Sequence, residues 1–111
     1  MDYTFNEYQK EASLTAKYPI IGKNYIYPVL GLAGEVGELL NKVKKIFRDD
    51  EEEISKERKK QIEEELGDIL WYLSEIATKL GISLQIVALN NNTKLQSRKQ
   101  RNRIQGEGDN R

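Results

Sequence analysis

Apolar residues return every three or four positions through four stretches of this chain, and short polar segments separate them. Phe5, Tyr8, Ala12, Thr15 and Ala16 keep helical spacing, and Thr4-Phe5-Asn6-Glu7 has the form of a capping box, so a first helix is predicted over about 5–16. A loop with Pro19, Gly22 and Asn24 follows, carrying Tyr18, Tyr25 and Tyr27. Aromatics there suit covering a core better than lining a base pocket. Pro28 fits the first position of a second helix, where a missing N–H costs little. From it Val29, Ala33, Val36, Leu40, Val43 and Phe47 make an apolar stripe, flanked by Leu32, Leu39 and Ile46. Five consecutive acids, 49–53, repel one another and should end this helix near Arg48.

Ser55 is placed to cap a third helix that runs to Leu80 and stops at Gly81. Its stripe is Ile62, Leu66, Leu70, Leu73, Ala77 and Leu80, with Ile69 and Ile76 beside it; Trp71 points to the other flank, open to a partner. Ser83 caps a fourth helix through Leu84, Val87, Ala88, Leu89 and Leu95. Strand-like alternation is missing. The expected architecture is all-α, a bundle of four helices in which the stripes of helices two and three pack together. A single domain spans 1–111, with a flexible basic tail from about 99.

Two carboxylate pairs stand out on this frame. Glu35 and Glu38 lie three residues apart, as do Glu65 and Asp68, and each pair keeps the same offset from its apolar stripe. Antiparallel packing of the two helices would bring the four acids together, where only cations could relieve their repulsion. Oxygen ligands suit Mg²⁺, which shares itself with phosphates, and Mn²⁺ is a possible substitute. Gly34, Gly37 and Gly67 interrupt predicted helices, each costing up to ~1 kcal/mol against alanine. Close helix approach or room for a ligand would account for that. Asn91, Lys94 and Arg98 recur on one face of the fourth helix.

Composition narrows the chemistry further. There is neither cysteine nor histidine in the 111 residues, which removes thiolate nucleophiles, Ser-His triads and the usual zinc sites. The 18 basic and 18 acidic side chains balance, so a nucleic-acid partner is not expected. A membrane partner is not expected either, because no apolar run approaches the ~20 residues of a span. A cytoplasmic location is the default. A non-catalytic helical interaction module is the alternative to an enzyme.

Glu35-x-x-Glu38, a gap of 26 residues, then Glu65-x-x-Asp68 resembles the signature of the MazG-like all-α nucleoside triphosphate pyrophosphohydrolases. The resemblance extends to Tyr27-Pro28-Val29-Leu30-Gly31-Leu32-Ala33-Gly34-Glu35, to 64–73, and to Asn91-x-x-Lys94-Leu95-x-x-Arg98 with the Gly-x-Gly-Asp-Asn-Arg end. It implies hydrolysis of nucleoside triphosphates between the α and β phosphates, as nucleotide-pool house-cleaning. It implies Mg²⁺ on Glu35, Glu38, Glu65 and Asp68, with one carboxylate free to orient water. It gives Asn91, Lys94 and Arg98 to the substrate, and it implies a homodimer or homotetramer. Gly34 occupies a place where many relatives carry an acid, and Asn102 one where small relatives often have glycine.

Overall fold

The computed structural model describes residues 2–20, 23–51 and 53–109. Among the described residues four helices follow one another: α1 (Phe5–Ser13), α2 (Ile26–Asp49), α3 (Lys56–Lys79) and α4 (Leu84–Gln100). The caps read from the sequence are in place. Thr4, Ser55 and Ser83 each accept a hydrogen bond through the side-chain hydroxyl from the backbone N–H three residues on, at 3.1, 3.1 and 3.2 Å, satisfying one orphan donor per helix. Gly81 takes a left-handed φ of +69° just past α3, and Ile82 N–H closes back on the Ala77 carbonyl at 2.8 Å. That turn favours glycine.

Two helix ends differ from the reading. α1 stops at Ser13, short of Ala16. The Ser13 and Thr15 hydroxyls donate to the Lys10 and Ala12 carbonyls at 2.7 Å each, and such local bonds compete with the helical ladder. α2 begins at Ile26, so Pro28 falls in its first turn, where the N–H it lacks would have had no partner anyway.

α2 and α3 form an antiparallel hairpin. At its closed end Arg58 donates to Asp50 at 2.8 Å; along it Lys42 meets Glu65, and Gly31 lies against Tyr72. The hairpin seam is not the expected one. Its α2 face carries Pro28, Leu32, Glu35, Leu39, Lys42 and Ile46, of which Pro28 and Ile46 are buried. The purely apolar stripe was expected to pack on α3, yet Val29, Val36, Leu40 and Phe47 are exposed, Leu40 at 64%. On α3, Leu66, Leu73 and Leu80 of the expected stripe are exposed as well. The reason is rotational: Lys42 pairs with Glu65 on α3, and turning it inward carries Glu35 into the same seam and rotates the apolar stripe roughly 100° away.

Trp71 also departs from expectation. It is covered by its own chain: its indole N–H donates to Thr15 Oγ1 at 2.8 Å, and its ring packs edge-on against Tyr18 and Tyr72, at 6.2 and 5.1 Å between centroids. Gln9 fastens α1 to the α3–α4 turn, donating to Thr78 Oγ1 and the Ile82 carbonyl and accepting from Leu84 N–H. The single chain stays open nonetheless. Its radius of gyration is 17.0 Å, against about 13 Å for a compact domain of this length.

The glycines separate into two kinds. A Cβ added at Gly31 would run into the Tyr72 ring, whereas Gly34, Gly37 and Gly67 have nothing within 4 Å of that position. Close approach therefore explains Gly31 alone. Gly31→Ala is expected to destabilise the chain by about 1–3 kcal/mol through overpacking, less the helix-propensity gain. Gly37→Ala should stabilise it by up to about 1 kcal/mol. Urea midpoints moving in opposite directions would bear this out, and a shared direction would not.

Candidate active site

Antiparallel pairing of α2 and α3 sets Glu35 opposite Glu65 and Asp68. One carboxylate oxygen from each of the three lies within 4.8 Å of the others, a spacing at which a single cation can bind all three. Glu38 lies outside this group, one turn further on and exposed, although its charge still reaches Glu35. The site the sequence drew with four acids is thus three convergent carboxylates and a fourth at the rim.

The three are in unequal environments. Glu65 is buried; its Oε1 sits 2.9 Å from Lys42 Nζ. Its Oε2 is buried with no N–H or hydroxyl donor among the described residues, the Glu35 carboxyl being the group within hydrogen-bonding reach of the Glu65 carboxylate. The Lys42 ammonium holds Glu65 below the usual carboxylate range against the opposing effect of burial. Burial pushes Glu35 up, and the neighbouring Glu65 carboxylate and the charges of Asp68 and Glu38 add to it. Asp68 is exposed. The group thus joins one ionised acid paired to a lysine, one acid that resists ionisation, and one acid open to solvent. A buried carboxylate oxygen with no such donor is costly, and a cation would satisfy it.

Lys42 is a site residue that the acid pairs alone do not reveal; it lies two turns after Glu35 on α2, and that spacing was the available signal. Two other features had none. Glu75 has no exposed surface, and Tyr18 donates to its Oε1 at 2.9 Å. Burial, and then this hydrogen bond, push the Tyr18 phenol well up. Tyr18 also packs on Tyr27 at 4.9 Å. The loop tyrosine that the pattern assigned to core cover thus belongs to an aromatic cluster beside the carboxylates, since Tyr72 feels the charges of Glu35 and Asp68.

Asn91, Lys94 and Arg98 are not brought to the acids. Asn91 and Lys94 line a cavity of about 560 Å³ with Phe5, Leu70 and Leu73. Leu70 and Leu73 stand roughly 140–160° around α3 from Asp68 at 100° per residue. Arg98 is buried, and Lys94 pairs with Asp109 from the end of the chain at 3.2 Å. Within one chain, carboxylates and cations occupy different sides of α3.

The helical hairpin and its acid pairs match the family model described as the MazG nucleotide pyrophosphohydrolase domain over residues 27–102. The chain belongs to the MazG family. The match spans α2, α3, α4 and the start of the tail, so it takes in all seven candidate residues. This MazG-family chain is also 47% identical over 109 residues to the "Gene 37 protein" of Mycobacterium phage L5, covering 94% of this chain and 96% of the relative. No solved structure matches. Asn102 has a φ of +59°, a left-handed conformation asparagine tolerates better than most residues.

Proposed function

We propose that the chain is a Mg²⁺-dependent nucleotide pyrophosphohydrolase that cleaves (d)NTPs between the α and β phosphates to the monophosphate and pyrophosphate. The convergence of Glu35, Glu65 and Asp68 on one point, with a buried oxygen among them that no N–H or hydroxyl satisfies, carries the reading. These three are the residues that would hold Mg²⁺, with Mn²⁺ able to replace it. The ion supplies charge neutralisation for the phosphates and a polarised water. Lys42 fixes Glu65 in its ionised form and keeps the site's net charge from becoming prohibitive. Glu38, exposed at the rim, is available to orient the attacking water. Such chemistry rests on positioning and electrostatics, which suits a chain without histidine or cysteine. Nucleotide substrates place its work, pool house-cleaning, in the cytoplasm.

Asn91, Lys94 and Arg98 contact phosphate or sugar in this reading, and their place across α3 from the acids supports their being supplied by a second copy. The functional unit is a homodimer or homotetramer. The exposed stripes of α2 and α3 support this, since few large apolar residues are buried in the single chain. Mixing an inactive Glu35→Gln chain with an inactive Lys94→Gln chain should restore pyrophosphate release as subunits exchange. Two variants that stay inactive together would place each site within one chain.

A panel of nucleoside triphosphates with Mg²⁺, scored for pyrophosphate against orthophosphate, tests the reaction. Pyrophosphate as primary product is expected. Orthophosphate across the panel, or no metal-dependent turnover, would remove the reading in favour of a non-catalytic helical module.

A further inference from the structure

The end of the chain turns back onto α4. Asn102, at φ +59°, and Gly106 and Gly108, at +138° and +81°, make left-handed turns, and the Arg103 N–H caps the helix end on the Arg98 carbonyl at 2.7 Å. These reversals return Asp109 to the helix turn it left eleven residues earlier. There Lys94 Nζ lies 3.2 Å from Asp109 Oδ1, and Arg98 Nη2 lies 3.5 Å from the same oxygen while donating to the Asp109 backbone carbonyl. One anionic oxygen thus sits against two cations.

The two sides of this contact are built differently. Arg98 is only 4% exposed, and its Nε is buried without a hydrogen-bond partner, so its guanidinium is fixed and under-used. The Asp109 side chain is 83% exposed, so its carboxylate can leave without uncovering apolar surface, the bond from Arg98 to the Asp109 backbone carbonyl being a further contact that opens with it. A guanidinium fork beside an ammonium suits a phosphate, which brings more charge and more acceptor oxygens than one carboxylate. An exposed carboxylate held by surface pairing is a weak competitor for such a seat.

We propose that Asp109 is an internal anion that holds the Lys94–Arg98 seat until a polyphosphate displaces it, making the tail a gate on substrate binding. The proposal rests on the reading that this pair takes substrate phosphate. The tail then acts on affinity: it excludes weakly bound single anions and yields to a triphosphate. Its opening frees the glycine-containing segment 106–109.

Calorimetric titration of the full chain with inorganic tripolyphosphate, without nucleotide, tests this. Asp109→Asn is expected to bind about threefold to fivefold more tightly than the native chain, and Asp109→Glu to bind as the native chain does. Placing Asp109→Asn in a Lys94→Gln background should abolish the gain. Unchanged or weaker binding by Asp109→Asn, a gain that survives Lys94→Gln, or loss of helical circular dichroism in Asp109→Asn would each overturn the gate and leave the contact as a structural pin. Turnover assays of the native chain separate the two ideas. Tighter tripolyphosphate binding in a chain that releases no pyrophosphate removes only the reaction; active enzyme with no tightening removes only the gate.

Discussion

Glu35→Gln is expected to lower metal-dependent pyrophosphate release at least about a hundredfold while leaving the metal-free chain as stable as before, or more so. The loss follows from position. Glu35 is α2's contribution to the three-carboxylate group, and an amide keeps the shape while removing the charge a divalent ion requires. Losing a residue that merely supports a ligand typically costs ten- to a hundredfold, and a ligand itself should cost no less. Stability is spared because Glu35 is held in a place that disfavours its ionised form, through burial first and then the acids around it. The native chain is expected to melt at a higher temperature with Mg²⁺, and the same substitution should erase that rise, since a bound ion stabilises only the state that binds it. A Glu35→Gln chain that keeps both turnover and the Mg²⁺ shift would show that the ion does not sit here.

The sign of the pH dependence follows from the same environment. A carboxyl whose pKa is raised by folding stabilises the native state below its ordinary value, and that contribution is lost as pH rises through the raised value. Metal-free native protein should therefore lose a component of stability across that window, and Glu35→Gln should lack this component. Glu65 works the other way. Lys42 holds its pKa down, so its contribution is present above the ordinary value and lost as pH falls through the lowered one. Urea midpoints of the two chains, compared across acid pH, should separate these effects; parallel curves would show that Glu35 titrates normally.

What the sequence could express here depended on how local the cause was. Helix starts depend on one hydroxyl and a backbone N–H three residues away, so Thr4, Ser55 and Ser83 were readable. The acid pairs were readable for the same reason: i, i+3 spacing is a property of one helix. Which face of α2 meets α3 is not local. Two heptad-spaced rows run down α2, one purely apolar from Val29 to Phe47, the other interrupted by Glu35 and Lys42. Periodicity marks the first as the better core. Pairing of Lys42 with Glu65 selects the second, and nothing within α2 alone announces it. The surroundings of Trp71 and Glu75 were missed similarly, because their partners, Thr15 and Tyr18, lie past the end of α1 and more than fifty residues away in sequence. The cationic residues of α4 were found, but the acid that meets them arrives from the chain's end.

The row left outside the hairpin leads to the second large effect: Leu40→Glu should weaken the proposed oligomer by about a thousandfold or more in Kd. In the single chain Leu40 is 64% exposed and stands with Val29, Val36 and Phe47 on one apolar face, a contiguous patch of the kind that marks an interaction surface. Burying one leucine contributes about 1.5–3 kcal/mol, and a two-fold interface uses each position twice. The native contact thus loses on the order of 4 kcal/mol, which is about a thousandfold. A buried unpaired carboxylate adds further cost. Leu14→Glu is the matched control: Leu14 is 78% exposed at the C-cap of α1, away from this row, and its substitution should leave assembly unchanged. Sedimentation velocity over a range of concentrations reads the difference. Because the proposed assembly would cover that face and add to a small core, the Leu40→Glu monomer should also melt at a lower temperature and lose turnover along with assembly. A native chain that sediments as a monomer, or a Leu40→Glu chain that assembles as tightly as the native one, would show that the row is covered in some other way.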